Sequence, residues 1–205
     1  MEIRKDSILE IFKRLGALLE GHFLLSSGLH SDRYIQCALV FQYPDIAEKI
    51  AILLFEEIRN NFNRWEEINL IVSPALGGII IGQEIARVLK TFTVKKIRAI
   101  FTERDSNGKM SLRRNFDIKS DDKVLIVEDV LTTGKSTNEV IEVVREKNAE
   151  ILALASVVNR ASEDLKLGYP YFYLVGIKIN NYQPQECPLC KKGIELVKPG
   201  SRKIF

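Results

Sequence analysis

Two adjacent acids followed by hydroxyl and glycine residues form the segment of this sequence best suited to chemistry. It reads Val124-Leu-Ile-Val-Glu-Asp-Val-Leu-Thr-Thr-Gly-Lys-Ser136. A buried strand predicted over 123–127 precedes Glu128 and Asp129, and a helix predicted over 135–147 follows the glycine turn. A helix start offers unpaired backbone N–H groups and the positive end of the helix dipole, and Gly134 lets the backbone approach a ligand closely. The segment therefore predicts a phosphate site.

The two carboxylates must serve another ligand, because they would repel a phosphate. Glu128 and Asp129 suit a sugar diol or a divalent metal beside it. The segment is not a Walker A loop, since that motif needs a glycine where this sequence has Asp129. Helix capping alone would need a single acid or hydroxyl. We therefore favour a ligand site over a purely structural turn.

Three further segments carry residues typical of anion or ring binding. In Ser73-Pro-Ala-Leu-Gly-Gly78, two glycines could direct backbone N–H groups at an anion or simply begin a helix. Arg104 and Lys109 flank the turn Asn107-Gly108, in either a solvated hairpin or a mobile functional loop. Arg160 follows a predicted strand and offers a rigid fork of donors suited to a flat carboxylate ligand, although surface arginines also occupy such positions.

Strand-like and helix-like segments alternate along the chain, which favours an α/β fold: a mostly parallel sheet with helices on both faces. Predicted helices cover residues 6–20, 44–62, 77–90 and 135–147, and predicted strands cover 23–25, 34–35, 69–73, 97–102, 111–114, 123–127, 151–158 and 171–177. The N-terminal elements fall outside this alternation. We expect a small N-terminal cap, or hood, over the carboxyl edge of the sheet, where open α/β folds bind ligands. The prediction is a single domain spanning 1–205, with residues 1–40 contributing to the hood.

The composition is ordinary for a globular protein and excludes several classes. The 205 residues are 46% hydrophobic and 28% charged, and a net charge of +3 is too small to indicate nucleic-acid binding. No apolar run approaches the roughly 18 residues of a membrane helix, and no secretory signal is visible. We expect a cytoplasmic protein with neither nucleic acid nor a membrane as partner.

Two cysteines near the C-terminus have the spacing of half a zinc site, in Cys187-Pro-Leu-Cys190. The chain otherwise offers Cys37, His22 and His30, and a dimer could supply a second pair. Reduced thiols, a disulfide and a metal site all remain open for these cysteines.

The acid and hydroxyl segment resembles the loop that binds phosphoribosyl pyrophosphate (PRPP) in type I phosphoribosyltransferases. The resemblance implies that Glu128 and Asp129 hold the ribose hydroxyls, that the turn after them holds the 5-phosphate, and that residues 73–78 form the pyrophosphate loop. It also implies that Arg104 and Lys109 meet the pyrophosphate, often in the site of a partner subunit. The implied PRPP-binding residues are Arg104, Lys109, Gly77, Gly78, Glu128, Asp129, Val130, Leu131, Thr132, Thr133, Gly134, Lys135 and Ser136. The implied catalytic residues are Lys109, Arg104 and Asp129.

Residues 23–34 resemble the base-binding segment of family members that use orotate, and residues 101–116 resemble their mobile catalytic loop. The resemblance implies transfer of the phosphoribosyl group from PRPP to orotate, giving orotidine 5′-monophosphate and pyrophosphate in pyrimidine (UMP) biosynthesis. The implied orotate-binding residues are Thr132, Arg160, Tyr34 and Ser26. Mg²⁺ would be held mainly through PRPP and by no site of the protein alone, and a homodimer would let the loop act across the interface. A purine phosphoribosyltransferase and a PRPP-sensing regulator on the same fold are the alternatives.

The sequence departs from the family pattern at four positions. Ser26 and Asp105 stand where many members have a lysine, and Ile35 stands where many have a second aromatic residue. Leu76 lies in the segment where the family often has a lysine.

Overall fold

A six-stranded sheet forms the centre of the computed structural model, which describes residues 7–25, 27–160 and 167–199. Its strands are β3 (Leu70–Pro74), β4 (Arg98–Arg104), β5 (Met110–Leu112), β6 (Lys123–Leu131), β7 (Glu150–Asn159) and β8 (Tyr171–Gly176). They lie in the order β5-β4-β3-β6-β7-β8. β5 is antiparallel to β4, whereas every other neighbouring pair is parallel. The mostly parallel sheet predicted from the sequence is confirmed.

Helices cover both faces of this sheet, as predicted. The helices of the described residues are α1 (Ile8–Arg14), α2 (Ala38–Phe41), α3 (Pro44–Asn61), α4 (Gly77–Thr91), α5 (Lys135–Arg145) and α6 (Pro188–Lys191), with short 3-10 turns at Trp65–Glu67 and Pro184–Glu186, and α3, α4 and α5 are the ones that pack on this sheet. Ile50 of α3 and Ile81 of α4 share one core with Ile71 of β3, whereas Val140 of α5 shares the other core with Val72. Successive residues of β3 thus point to opposite faces, as expected for a strand buried on both sides.

A second, smaller sheet forms the hood. It contains β1 (Leu18–Leu24), β2 (His30–Ile35) and β9 (Asn181–Tyr182), in the order β1-β2-β9 with antiparallel pairing. An isolated bridge between Phe23 and Val197 adds the C-terminal segment to the outer side of β1. The hood therefore combines residues from both ends of the chain, whereas the sequence predicted contributions from the N-terminal elements only.

The N-terminal helix is shorter than the sequence predicts. The leucine spacing predicts a helix over 6–20, but α1 ends at Arg14, and Leu18 and Leu19 belong to β1. Gly16 has a φ of +68°, a left-handed conformation that glycine adopts at low cost and that ends helices. Pairing of β1 with β2 then overrides the helical spacing of the leucines.

No helix in the described ranges is both long and apolar enough to span a membrane.

Candidate active site

The acid pair lies at the carboxyl end of β6, where the parallel strands open toward one edge. Glu128 and Asp129 are half-buried. The hydroxyl of Thr137, on the first turns of α5, donates a hydrogen bond to Oε2 of Glu128. Burial, opposed by the Thr137 hydrogen bond and aided by the neighbouring Asp129, raises the pKa of the Glu128 carboxyl to about 7. Glu128 therefore titrates near neutral pH.

Asp129 is positioned by the start of α4 and by a buried thiol. A Cβ atom on Gly77 would lie 2.5 Å from both carboxylate oxygens of Asp129, so any other residue here would require this carboxylate to move. Burial raises the pKa of Asp129, whereas backbone N–H groups and the Cys37 thiol stabilise its charged form. The thiol of Cys37 is itself buried, and burial and Asp129 raise its pKa. The packing holds the carboxylate in one place.

Thr137 and Cys37 are site residues that the sequence prediction missed. Thr137 directly follows the predicted segment, and its position two residues inside a helix was the available signal. Cys37 precedes α2 and comes from a distant part of the sequence, so no local pattern links it to Asp129.

The turn after β6 has the form expected of an anion site. Gly134 adopts a φ of +73°, and α5 begins at the next residue. Thr132 and Thr133 are exposed, as is Lys135, and Ser136 is half-buried. The backbone N–H of Lys135 faces Oγ1 of Thr133 at 3.4 Å. Hydroxyl groups and the N-terminus of an 11-residue helix therefore face solvent together.

Val130 and Leu131 of the predicted PRPP set belong to β6, as the two acids do, rather than to the turn. Val130 and Leu131 pair with Val158 and Asn159 of β7. The side chain of Leu131 is buried in the core on the α5 face of the sheet, so only its backbone is available to a ligand.

The glycine pair Gly77-Gly78 begins α4 beside the acids. A Cβ on Gly78 would lie 3.0 Å from the carbonyl oxygen of Val127, so α4 packs directly on β6. The Ala75–Leu76 peptide is cis, and the N–H of Ala75 donates to the Thr102 carbonyl at 2.8 Å. Leu76 is 82% exposed, so the position at this loop where a lysine is frequent carries an apolar side chain in solvent.

The predicted hairpin is present, and its two cations are paired with α5. β4 and β5 pair antiparallel from Thr102 opposite Leu112 to Arg104 opposite Met110. Arg104 binds Glu139 at 2.5 Å, and Nζ of Lys109 lies 4.0 Å from Oε1 of Glu146. Both acids lie on or directly after α5, so in a single chain these cations rest on that helix.

Asp105 has a structural task in this hairpin. Its Oδ1 accepts the backbone N–H groups of Asn107 and Lys109 at 2.8 and 2.9 Å. Gly108 completes the turn with a φ of +79°. The aspartate thus stabilises the turn geometry at a position where a lysine would add charge.

Arg160 joins the main sheet to the hood. Its backbone N–H donates to the carbonyl of Leu131 at 2.8 Å, and its Nη2 donates to Oδ1 of Asn181 in β9 at 3.1 Å. Burial lowers the pKa of the guanidinium, whereas nearby Asp32 and Tyr34 raise it. Within the described ranges this half-buried cation forms no ion pair, so it is available to an anionic ligand.

Tyr34 lies on β2, where its ring faces that of Phe23 at a centroid distance of 6.0 Å. Ser26, the remaining predicted base contact, lies outside the described residues. The structure therefore brings Arg160 close to Tyr34 and to Asn181 of the hood. Asn181 was missed by the sequence prediction because a two-residue strand leaves no periodic pattern.

Comparison with known proteins agrees with this geometry. The family model "Phosphoribosyl transferase domain" matches residues 40–191. Orotate phosphoribosyltransferases of Caldicellulosiruptor bescii and Caldicellulosiruptor saccharolyticus are 46% and 47% identical to this chain, over 98% of it and 100% of each relative.

Solved structures support the fold at lower sequence identity. The crystal structure of orotate phosphoribosyltransferase from Aeropyrum pernix has a TM-score of 0.67 and 22% identity, over 82% of this chain and 92% of that one. The Mycobacterium tuberculosis enzyme in complex with inorganic phosphate has a TM-score of 0.65 and 22% identity, over 84% and 95% of the two chains.

Proposed function

This chain belongs to the phosphoribosyl transferase family, and from that premise we propose that it transfers the phosphoribosyl group of PRPP to orotate. The products are orotidine 5′-monophosphate and pyrophosphate, as in pyrimidine (UMP) biosynthesis. Nearly full-length relatives that carry the name orotate phosphoribosyltransferase favour orotate over a purine base and an enzyme over a regulator.

One observation carries this proposal beyond the resemblance. The hydrogen bond from the Arg160 backbone N–H to the Leu131 carbonyl places residue 160 beside the residue that precedes the turn 132–136, and its half-buried guanidinium donates to Asn181 of β9. Arginine binds a carboxylate through two parallel hydrogen bonds, and orotate carries one on a flat ring. The base and the ribose phosphate would thus meet at adjacent strand ends, as a transfer between them requires.

The residues act by placement and electrostatics. A ring nitrogen of orotate attacks the anomeric carbon while the bond to pyrophosphate breaks, so positive charge grows on the ribose and negative charge on the leaving group. Glu128 and Asp129 hold the ribose hydroxyls and stabilise the positive charge, the turn 132–136 holds the 5-phosphate, and Gly77-Gly78 faces the pyrophosphate. No protein nucleophile is needed.

Arg104 and Lys109 would stabilise the leaving pyrophosphate. In one chain they pair with acids at α5, so their use requires the hairpin to leave that helix. We propose that the hairpin of one protomer acts in the site of its partner in a cytoplasmic homodimer. Closure of such a loop excludes water, which would otherwise hydrolyse PRPP.

The acids at the strand end fit a role for Mg²⁺. Carboxylate and phosphate oxygens are the hard ligands that Mg²⁺ prefers, and Glu128 and Asp129 are the carboxylates beside the proposed ribose position. The ion would be held mainly through PRPP, and when bound it would neutralise charge on the leaving group.

The test follows orotate consumption by ultraviolet absorbance in the presence of PRPP and Mg²⁺, with adenine, guanine and uracil in parallel. We expect loss of orotate that depends on both PRPP and Mg²⁺. Turnover of another base alone would overturn the choice of orotate, and binding of PRPP without turnover of any base would favour a regulator.

A further inference from the structure

Four side chains of types that can bind a metal ion meet at the hood. They are His22 of β1, His30 of β2, and Cys187 and Cys190 from the segment that begins α6. One ligand atom from each lies within 4.8 Å of all the others. His22, His30 and Cys187 are buried, and Cys190 is exposed. The second half of a zinc site, which the cysteine spacing leaves open, comes from two histidines of the same chain.

The distances between these atoms fit a tetrahedral zinc ion. Zn–S bonds of about 2.3 Å and Zn–N bonds of about 2.0 Å place sulfur and nitrogen ligands about 3.5 Å apart. Nε2 of His22 lies 3.4 Å from Sγ of Cys187 and 3.7 Å from Sγ of Cys190, and Nδ1 of His30 lies 3.3 Å from Sγ of Cys190. The two imidazole nitrogens are 2.8 Å apart and would separate by about half an ångström around a metal.

A backbone carbonyl fixes the orientation of one histidine. Nδ1 of His22 lies 2.8 Å from the carbonyl oxygen of Ile194, which can only accept a hydrogen bond. Nδ1 must therefore carry the proton, and a neutral His22 presents the lone pair of Nε2 to the cluster. Histidines that bind a metal through one ring nitrogen usually donate the N–H of the other to a carbonyl or carboxylate oxygen, as His22 does here.

We propose that His22, His30, Cys187 and Cys190 bind one structural Zn²⁺ ion through Nε2, Nδ1 and the two Sγ atoms. Two thiolates and two imidazoles form a closed set with no open position for substrate, so the ion stabilises structure rather than acting in the reaction. It ties the segment after β9 to the β1–β2 hairpin, which carries Tyr34 of the proposed base site.

The wild-type protein provides the first test. Protein purified without chelator should contain one zinc ion per chain by elemental analysis. Exchange for Co²⁺ should give the strong visible bands of four-coordinate cobalt and a near-ultraviolet thiolate-to-cobalt band. Co²⁺ that binds without these features, iron in place of zinc, or neither zinc content nor Co²⁺ binding would overturn the proposal.

Cysteine variants provide the second test, because the chain contains a matched control. Cys190→Ser replaces an exposed ligand and leaves Cys187 as the one thiolate, so it should weaken the thiolate-to-cobalt band to about half and reduce metal affinity at least about tenfold. Cys37→Ser removes the third cysteine, which lies outside the cluster, and should keep one zinc ion per chain. Equal metal content in both variants would contradict the proposal, and so would a Cys187–Cys190 disulfide in protein prepared without oxidant. None of these measurements depends on the proposed transferase activity.

Discussion

The two clusters of polar side chains in this molecule are assembled in opposite ways. The proposed ribose-phosphate loop, residues 128–136, is continuous in the sequence and runs from the end of β6 into the first turn of α5. The His–Cys cluster, formed by His22, His30, Cys187 and Cys190, joins both ends of the chain. In a continuous site the order of residue types is visible in the sequence, so the chemistry of the site can be predicted from it. A site assembled from distant segments can be recognised only once the fold shows that the segments lie together.

The clusters also differ in how their charges are accommodated. The loop holds two carboxylates whose pKa values burial raises, which costs free energy that a ligand can recover. In the His–Cys cluster the ring nitrogens of His22 and His30 lie within hydrogen-bond distance of each other, and the Ile194 carbonyl fixes the tautomer of His22. We therefore expect perturbation of the first to change activity and perturbation of the second to change stability.

The largest effect should come from Asp129→Asn. The amide keeps the size of the side chain but removes the charge that stabilises the ribose, so kcat/KM should fall about 100- to 1000-fold in the orotate assay. The free energy of unfolding should not fall, because the variant no longer buries this charge. Asp121→Asn, in the exposed turn before β6, is the matched control and should keep wild-type kinetics. A kcat/KM of Asp129→Asn within threefold of wild type would remove Asp129 from the reaction.

Removal of zinc should lower the stability of the protein and leave its activity nearly unchanged, the opposite of the result expected for Asp129→Asn. Treatment of the wild-type protein with a zinc chelator should lower Tm by roughly 5–10 °C, because the bound metal contributes to folding free energy. The kcat measured at a temperature well below the new Tm should stay within about twofold, since the ion lies outside the reaction. Calorimetry before and after zinc is added back checks the change. A Tm that is the same with and without metal would contradict a stabilising role for the His–Cys cluster.

Lys109→Ala tests the β4–β5 hairpin. As for the proposed ribose-phosphate loop, we expect a change in this hairpin to alter activity rather than stability, although the hairpin lies on the surface. Removal of the cation should lower kcat about 10- to 100-fold while KM for orotate changes little, because Lys109 would meet the leaving group rather than the base. The side chain is exposed, so unfolding in denaturant should be unchanged. Lys119→Ala, at another exposed lysine, serves as the control. A kcat within threefold of wild type would withdraw the catalytic role of Lys109.

Glu128→Gln tests the cost of the buried acid in the ligand-free protein. The pKa of Glu128 is raised from 4.5 to about 7, so between these values the folded state binds more protons than the unfolded state. The corresponding stability is fully present below about pH 4.5 and is lost as pH rises through 7. Between pH 5 and pH 8 the wild type should therefore lose up to about 3 kcal/mol more stability than Glu128→Gln. Denaturant unfolding of both proteins across this range measures the difference, and parallel profiles would show that Glu128 is ionised at an ordinary pKa.

The sequence predicted the central sheet well because its strands are apolar runs between turn residues. The segments around β3, β6 and β7 show this signal directly, and Pro44 marks the start of α3. The proposed ribose-phosphate loop was predicted as a unit because its residues are consecutive in the sequence. The failures came where tertiary contacts override local patterns. Leu18 and Leu19 keep helical spacing but pair with β2, and β9 is too short for any period.

Thr137 apart, the site residues that the sequence missed share one cause. Cys37 and Asn181 act across long separations in the chain, and their residue types carry no distinctive local pattern. The histidines of the His–Cys cluster were visible as residue types, but only the β1–β2 pairing shows that they face the same cysteines. Local order is thus predictable from spacing, whereas long-range proximity requires the topology.

The ion pair between Arg104 and Glu139 gives the hairpin a built-in counterion. Partly exposed pairs of this kind contribute about 0.2–1 kcal/mol, so Arg104 can leave Glu139 at small cost. A pyrophosphate group carries more charge and more acceptor oxygens than one carboxylate, so the Arg104 guanidinium would bind it more tightly than it binds Glu139. When PRPP binds, its pyrophosphate group would then replace the Glu139 carboxylate as the anion bound to Arg104. Salt weakens the old pair and the new one alike, so part of the ionic-strength dependence of binding cancels at this residue.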